Sequence, residues 1–181
     1  MPQKDVTQLA RNVELLLMDV DGVLTDGKLL YVPLADENVV EVKAFAVTDG
    51  AAIVWAKRAG IKTGIISGLT SPAVSRRAEI LGMDFVYQGL GQKKRAAYED
   101  VLAKTRIPAE RVCYVGDDLQ DLPILTRAGL SVGVANAHPE VLARVAYVTR
   151  ASGGNGAIRE LVELILKAQG KWDAMLAEFC D

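Results

Sequence analysis

The stretch LLLMDVDGVLTDG, Leu15 to Gly27, decides how the rest of the chain is read. Four apolar residues run into Asp19, Val20, Asp21 and Gly22, and Asp26 follows in TDG. A continuous apolar run ahead of turn residues reads as a strand buried on both faces, which is the mark of a parallel sheet. Similar runs recur along the chain: residues 61–66 (IKTGII), 85–87 (FVY), 111–116 (RVCYVG), 130–135 (LSVGVA) and 146–149 (AYVT), with 13–18 (VELLLM) as the first. Helical patterns fall between most of them, at 49–58 after Thr48 as a cap, 72–81 after Ser71, 92–105, 119–127, 140–144 and 157–169. This alternation predicts an α/β fold, a doubly wound parallel sheet with helices on both faces and right-handed crossovers.

At 181 residues the chain suits one domain, and half of it is hydrophobic, enough for a sizeable core. The net charge is −2 and no basic stripe is present, which argues against nucleic acid as a partner. Cys113 lies in an apolar run and Cys180 near the end, so a disulfide framework is not expected and a cytoplasmic setting is. No run approaches the ~18 apolar residues of a membrane span, and the opening MPQKDVTQLARNVE has no apolar segment suited to a signal peptide. One segment breaks the alternation. Residues 28–45, KLLYVPLADENVVEVKAF, read as an inserted β-hairpin with apolar outer positions at Leu29, Tyr31, Val39, Val40 and Val42. A lone hairpin is marginal in water, so it is expected to pack on another subunit or over the active site.

Ligands of doubly wound sheets bind beyond the carboxyl ends of the strands, where the strand order reverses. The segments following the strands are DVDG (19–22), SGLTS (67–71), QGLGQKK (88–94) and GDDLQD (116–121). They supply clustered carboxylates, a hydroxyl, backbone amides and a lysine. Carboxylates crowded together need a cation, and hard oxygen donors suit Mg²⁺. An aspartate can attack a phosphate ester and form an aspartyl-phosphate, provided that positive charge neutralises the dianion and a second acid protonates the leaving alkoxide.

In order and spacing, DVDGVLTDG, SG, QKK and GDDLQD resemble the four motifs of the haloacid dehalogenase superfamily of phosphohydrolases. YQG (87–89), GLSVGVANAHPE (129–140), AYVT, GGNGA (153–157) and AQGKWD (168–173) extend the resemblance to the small cap-less phosphatases acting on 3-deoxy-D-manno-octulosonate 8-phosphate, from about Leu15 to Asp173. The resemblance implies a Mg²⁺-dependent phosphomonoesterase of lipopolysaccharide precursor synthesis. It also implies a homotetramer joined through the hairpins, with neighbouring subunits helping to close each site. Asp19 would be nucleophile and metal ligand, and Asp21 general acid and base with its carbonyl on the metal. Ser67, Gly68 and Lys93 would hold the phosphoryl group. Asp117 would bind the metal, Asp118 would support it, and Asp121 would position Lys93.

The chain departs from that family pattern at Thr48, Leu69 and Asn155, where arginine is frequent, and at Asn136, where aspartate is. Lys43, Asp49 and Arg77 are the candidate substrate contacts within the chain, with Arg95 or a neighbour's Arg159 as further compensators. A nonulosonate 9-phosphate or another sugar phosphate is the alternative substrate. A phospho-receiver is disfavoured because FVYQG ends in no aspartate, and a non-catalytic scaffold is disfavoured by the retained carboxylate cluster. Asp26 reads as a turn residue, His138 as structural, GGNGA as a flexible loop capping the last helix, and Trp55 and Trp172 as packing residues.

Overall fold

The strand β1, Leu15–Met18, is buried at every position in the computed structural model, which describes residues 5–36 and 38–180. Successive strand residues point to opposite faces, so unbroken burial means that both faces are covered. The hairpin strands β2 (Leu30–Pro33) and β3 (Val39–Val42) come next in the chain, followed by β4 (Lys62–Ile66), β5 (Phe85–Tyr87), β6 (Val112–Gly116), β7 (Leu130–Gly133) and β8 (Tyr147–Val148). Six of these strands form one parallel sheet in the order β5-β4-β1-β6-β7-β8. Leu15 pairs with Lys62 on one side and Val112 on the other, and Met18 with Ile65 and Val115. The doubly wound sheet predicted from the apolar runs is the one observed.

The helices are α1 (Val6–Arg11), α2 (Val47–Arg58), α3 (Pro72–Ile80), α4 (Lys94–Thr105), α5 (Leu122–Leu125), α6 (Pro139–Leu142), α7 (Ala157–Ala168) and α8 (Trp172–Ala177). In α7, Ile158, Leu161, Val162, Ile165 and Leu166 make one buried stripe at helical spacing, packed against α1 and α2. Asp49, in the first turn of α2, caps α7: its carboxylate accepts from the N–H groups of Gly156 (3.2 Å) and Arg159 (2.8 Å). A negative group at a helix N-terminus satisfies otherwise orphaned donors and complements the helix dipole.

Four local expectations are corrected. The second helix begins at Val47 with Ala46 before it, so Thr48 is an exposed first-turn residue and not the cap. The segment 119–127 splits into a 3₁₀ turn, Leu119–Asp121, and α5, because the reciprocal capping of Asp118 and Asp121 and then Pro123 each restart the chain. The helix expected from Gln92 starts two residues later, at Lys94. Helices α1 and α8 lie outside the alternating pattern and were not anticipated; α1 is capped by Asp5, whose side chain accepts from Thr7 N–H (2.9 Å).

The hairpin is present, with Leu30 opposite Val42 and Val32 opposite Val40; Glu37 in its ADEN turn lies outside the described residues. It stands apart from the main sheet, and Leu30, Tyr31, Val39 and Val40 are all exposed. Trp55 packs edge-on against Trp172 at 6.0 Å and against Phe179 at 5.6 Å, as expected of packing residues. Among the described residues no helix is long and apolar enough to cross a membrane. Because Ile165 is wholly buried where α7 meets the core, Ile165→Ala is expected to lower the unfolding free energy by about 2–5 kcal/mol, measured by denaturant titration.

Candidate active site

The chain leaves β1 toward β4 and β5 on one side and later returns to β6, β7 and β8 on the other, so the strand order reverses between β1 and β6. Asp19 and Asp117 follow these two strands at their carboxyl ends. Asp19 continues the ladder: its N–H donates to Val115 O (2.9 Å), which fixes its backbone. Its side chain is buried, Oδ1 accepting from Val20 N–H (2.7 Å) and Oδ2 lying 2.6 Å from Lys94 Nζ. Lys94 has no exposed surface, and its ammonium also meets Asp121 Oδ1 at 2.9 Å. The remaining acceptor capacity of Asp121 is used as well. Tyr114 Oη–H donates to Oδ1 (2.7 Å), and the N–H groups of Asp117 (3.0 Å) and Asp118 (3.3 Å) donate to Oδ2.

Lys94, and not Lys93, is therefore the lysine of this cluster. Lys93 sits at the N-cap of α4 and is exposed. Adjacent helical residues are turned by roughly 100° from one another, so only one of the two can face inward. The sequence does carry the deciding signal. Lys94 shares the spacing of the buried residues Ala97, Tyr98 and Val101, whereas Lys93 falls in line with exposed Ala96 and partly exposed Asp100. Asp121 accordingly holds Lys94.

Asp19, Asp117 and Asp121 each place a carboxylate oxygen within 4.8 Å of the others. Burial, and then the charge of Asp121, raises the Asp19 carboxyl to about 7. Burial, and then the charge of Asp19, raises Asp117 to about 8. Burial opposes the charge on Lys94 too, but Asp121 and Asp19 outweigh it and keep the ammonium above its ordinary range. The excess of carboxylate over ammonium leaves room for a further cation. Asp117 Oδ1 is buried with no hydrogen-bond partner, which is the kind of atom a metal satisfies. Its other oxygen lies against Gly22, where a Cβ would come within 2.0 Å, and Gly22 has a left-handed φ of +88°. Asp19 and Asp117 thus fit as ligands of a hard divalent cation, while Asp121 is committed to Lys94 and the loop.

The other candidates divide. Asp21 is partly exposed and paired with Lys43, which also lies 3.4 Å from Glu41 Oε1. Ser67, buried at the end of β4, and Gly68 face the 89–92 loop: Gly91 N–H donates to Gly68 O (3.0 Å), and a Cβ on Gly68 would lie 3.0 Å from Gly91 O. Asp118 is exposed, its Oδ1 accepting from Leu119 N–H (2.8 Å), so it caps the 3₁₀ turn. Asp49 is buried beneath α7 and presents no free carboxylate to a substrate. Arg77 lies over Phe45, 5.8 Å from the ring centroid, and donates to Ala46 O (3.3 Å). Arg95 pairs with Glu99, and Arg159 pairs with Glu163 and stacks on Trp55. Thr48, Leu69 and Asn155 are all exposed. Asp26 accepts from Lys28 N–H (3.1 Å) in its turn, and His138 Nδ1 accepts from Glu140 N–H (3.1 Å) as a helix cap. The 153–157 loop does not cap α7 with a side chain. It lies on residues 22–26, Gly154 N–H donating to Val23 O (2.9 Å).

Removing Lys94 strands two buried carboxylates, whereas removing Lys93 strands nothing. Lys94→Ala is expected to cost about 3–5 kcal/mol of stability and to abolish phosphate-ester hydrolysis. Lys93→Ala is expected to keep both stability and hydrolysis close to wild type. Urea unfolding and phosphate release on the two variants check this.

Comparison with known proteins identifies the family. Residues 88–161 match the family model described as haloacid dehalogenase-like hydrolase. The chain is 47% identical over 169 residues to the 3-deoxy-D-manno-octulosonate 8-phosphate phosphatase KdsC of Escherichia coli K12, covering 93% of this chain and 87% of that protein. The crystal structure of a probable YrbI family phosphatase from Pseudomonas syringae pv. phaseolica 1448a superposes with a TM-score of 0.92 at 40% identity, covering 98% of both chains. The 3-deoxy-D-manno-octulosonate 8-phosphate phosphatase of Moraxella catarrhalis, solved with a magnesium ion, a phosphate ion and KDO, superposes with a TM-score of 0.90 at 40% identity over 96% of this chain and 97% of that one. Likeness of this degree along nearly the whole length, joined to a lysine-bridged carboxylate cluster at the switch point, means that the chain belongs to the 3-deoxy-D-manno-octulosonate 8-phosphate phosphatase family of haloacid dehalogenase-like hydrolases.

Proposed function

We propose that this protein hydrolyses 3-deoxy-D-manno-octulosonate 8-phosphate to the free sugar acid and inorganic phosphate, with Mg²⁺ as cofactor. The observation that carries the reading is the buried Asp19, bridged by Lys94 to Asp121 beside an unsatisfied Asp117 oxygen. The relatives support the substrate: KdsC of Escherichia coli is named for this ester, and the Moraxella catarrhalis structure contains the magnesium ion, phosphate and sugar acid together.

In this scheme the Asp19 carboxylate attacks phosphorus and the bond to the sugar oxygen breaks, leaving an aspartyl-phosphate. Asp21, entering the step as the carboxylic acid, gives its proton to the departing alkoxide, and the carboxylate left behind takes one from the water that attacks the aspartyl-phosphate. Phosphate leaves and the Asp19 carboxylate is restored. Lys94 has three N–H donors and two carboxylate partners in the structure, so one donor remains for a phosphoryl oxygen. The Ser67 hydroxyl and the Gly68 amide hold other phosphoryl oxygens. Lys43 pairs with the carboxylate form of Asp21, the form left once the alkoxide has taken the proton. The Asp19 and Asp117 carboxylates and the Asp21 carbonyl would hold Mg²⁺, which when bound would supply charge neutralisation for the dianionic group.

We read residues 1–181 as a single catalytic domain in which the hairpin 28–45 is an assembly element. Apolar side chains stand exposed on both of its strands, and a two-stranded hairpin gains little stability alone. These features support a homotetramer. The free cysteines Cys113 and Cys180 support a cytoplasmic setting.

Phosphate release from the octulosonate ester, nonulosonate 9-phosphates, hexose and pentose phosphates and an aryl phosphate, at fixed Mg²⁺, tests the substrate. The octulosonate ester is expected to be the preferred substrate, and Asp19→Asn to lower its turnover by about 10³-fold or more. Preference for another ester would overturn the substrate assignment and leave the chemistry standing. For the assembly, Tyr31→Ser combined with Val40→Ser is expected to lower the mass seen by light scattering from four chains toward one. A wild type already at the mass of one chain would remove the tetramer.

A further inference from the structure

The segment that follows β7 touches three of the loops that build the site. Ala135 N–H donates to Ala151 O (3.3 Å), and His138 N–H donates to Asp117 O (2.7 Å). Between them, the Asn136 side chain makes two bonds in opposite senses. Its Nδ2 donates to Gly22 O (3.1 Å), and its Oδ1 accepts from Gly153 N–H (2.7 Å). The partners dictate this orientation of the amide, since a carbonyl can only accept and an N–H can only donate. The two backbones it joins are in direct contact: a Cβ on Gly153 would lie 1.8 Å from Gly22 O.

Gly22 is the residue through which this clamp reaches the chemistry. It follows Asp21 in the chain, and its α-carbon supports the Asp117 carboxylate so closely that a Cβ would meet Oδ2 at 2.0 Å. Displacement of Gly22 therefore moves the acid–base residue and a metal-ligand candidate together. We propose that Asn136 is a positioning residue for the reaction, its amide clamping Gly22 to Gly153 and thereby setting the separation of Asp21 and Asp117. An aspartate at this position would accept from Gly153 but, as a carboxylate, would have no hydrogen to give Gly22 O. The amide is what lets one side chain serve both neighbours. The proposal rests on the active-site reading above and extends it to a residue whose side-chain hydrogen bonds both go to backbone groups.

The test measures Mg²⁺ affinity by calorimetry on the protein with Mg²⁺ alone, together with kcat and KM for the octulosonate ester and the melting temperature. Asn136→Ala is expected to weaken Mg²⁺ binding by severalfold and to lower kcat by about tenfold, while KM stays within about twofold. Asn136→Ser, whose short hydroxyl satisfies at most one partner, is expected to fall between wild type and Asn136→Ala, and it carries the test by the same measurements if the alanine variant does not fold. A purely structural tie would lower the melting temperature and leave Mg²⁺ affinity and kcat within twofold of wild type; that result overturns the proposal. A wild type that neither binds Mg²⁺ nor releases phosphate overturns the active-site reading, and this proposal falls with it.

Discussion

The ammonium of Lys94 between Asp19 and Asp121 is the interaction on which the site depends. All three groups lie out of contact with solvent. Each ion carries a desolvation penalty of several kcal/mol, and only close pairing with full hydrogen bonding offsets it. That condition is met around Asp121, which accepts from Tyr114 and from two backbone N–H groups as well as from Lys94. The pairing also joins three separate parts of the chain: the end of β1, the start of α4 and the turn after β6. A residue that helps to build the core is thereby placed against the Asp19 carboxylate.

Around this centre the backbone approaches itself unusually closely, and glycine is what permits it. Gly22 leaves space for the Asp117 carboxylate, and Gly153 lies flush against the Gly22 carbonyl. These loops are irregular, yet side chains and backbone hydrogen bonds hold them: Asn136, Asp49 and the N–H of Gly154 each connect segments more than a hundred residues apart in sequence. Several polar residues of the motif-bearing loops thus shape the site by holding backbone N–H groups. Asp49 and Asp118 belong to this group, one capping α7 and the other a 3₁₀ turn.

The fold was legible from apolar runs because a strand buried on both faces leaves a period-free signature, and the order of motifs marked the strand ends that meet. The hairpin was legible from two short β-prone stretches set around Pro33 and the polar ADEN segment. The adjacent pair Lys93 and Lys94 was misread because motif spacing is blind to helix phase; the stripe Lys94, Ala97, Tyr98 and Val101 contained the answer. Helices α1 and α8 escaped because they are six residues each, too short to show a period, and they owe their order to packing and caps.

By itself, the sequence determined the class of fold, the strand ends at which chemistry gathers, and the kind of chemistry, since local pattern and residue type are properties of neighbours in the chain. Only the tertiary structure decided that Asp121 is spent on Lys94 while Asp117 keeps an oxygen free, and that Asn136 and Asp49 tie loops together. Those outcomes depend on contacts between distant segments, for which a linear pattern carries no coordinate.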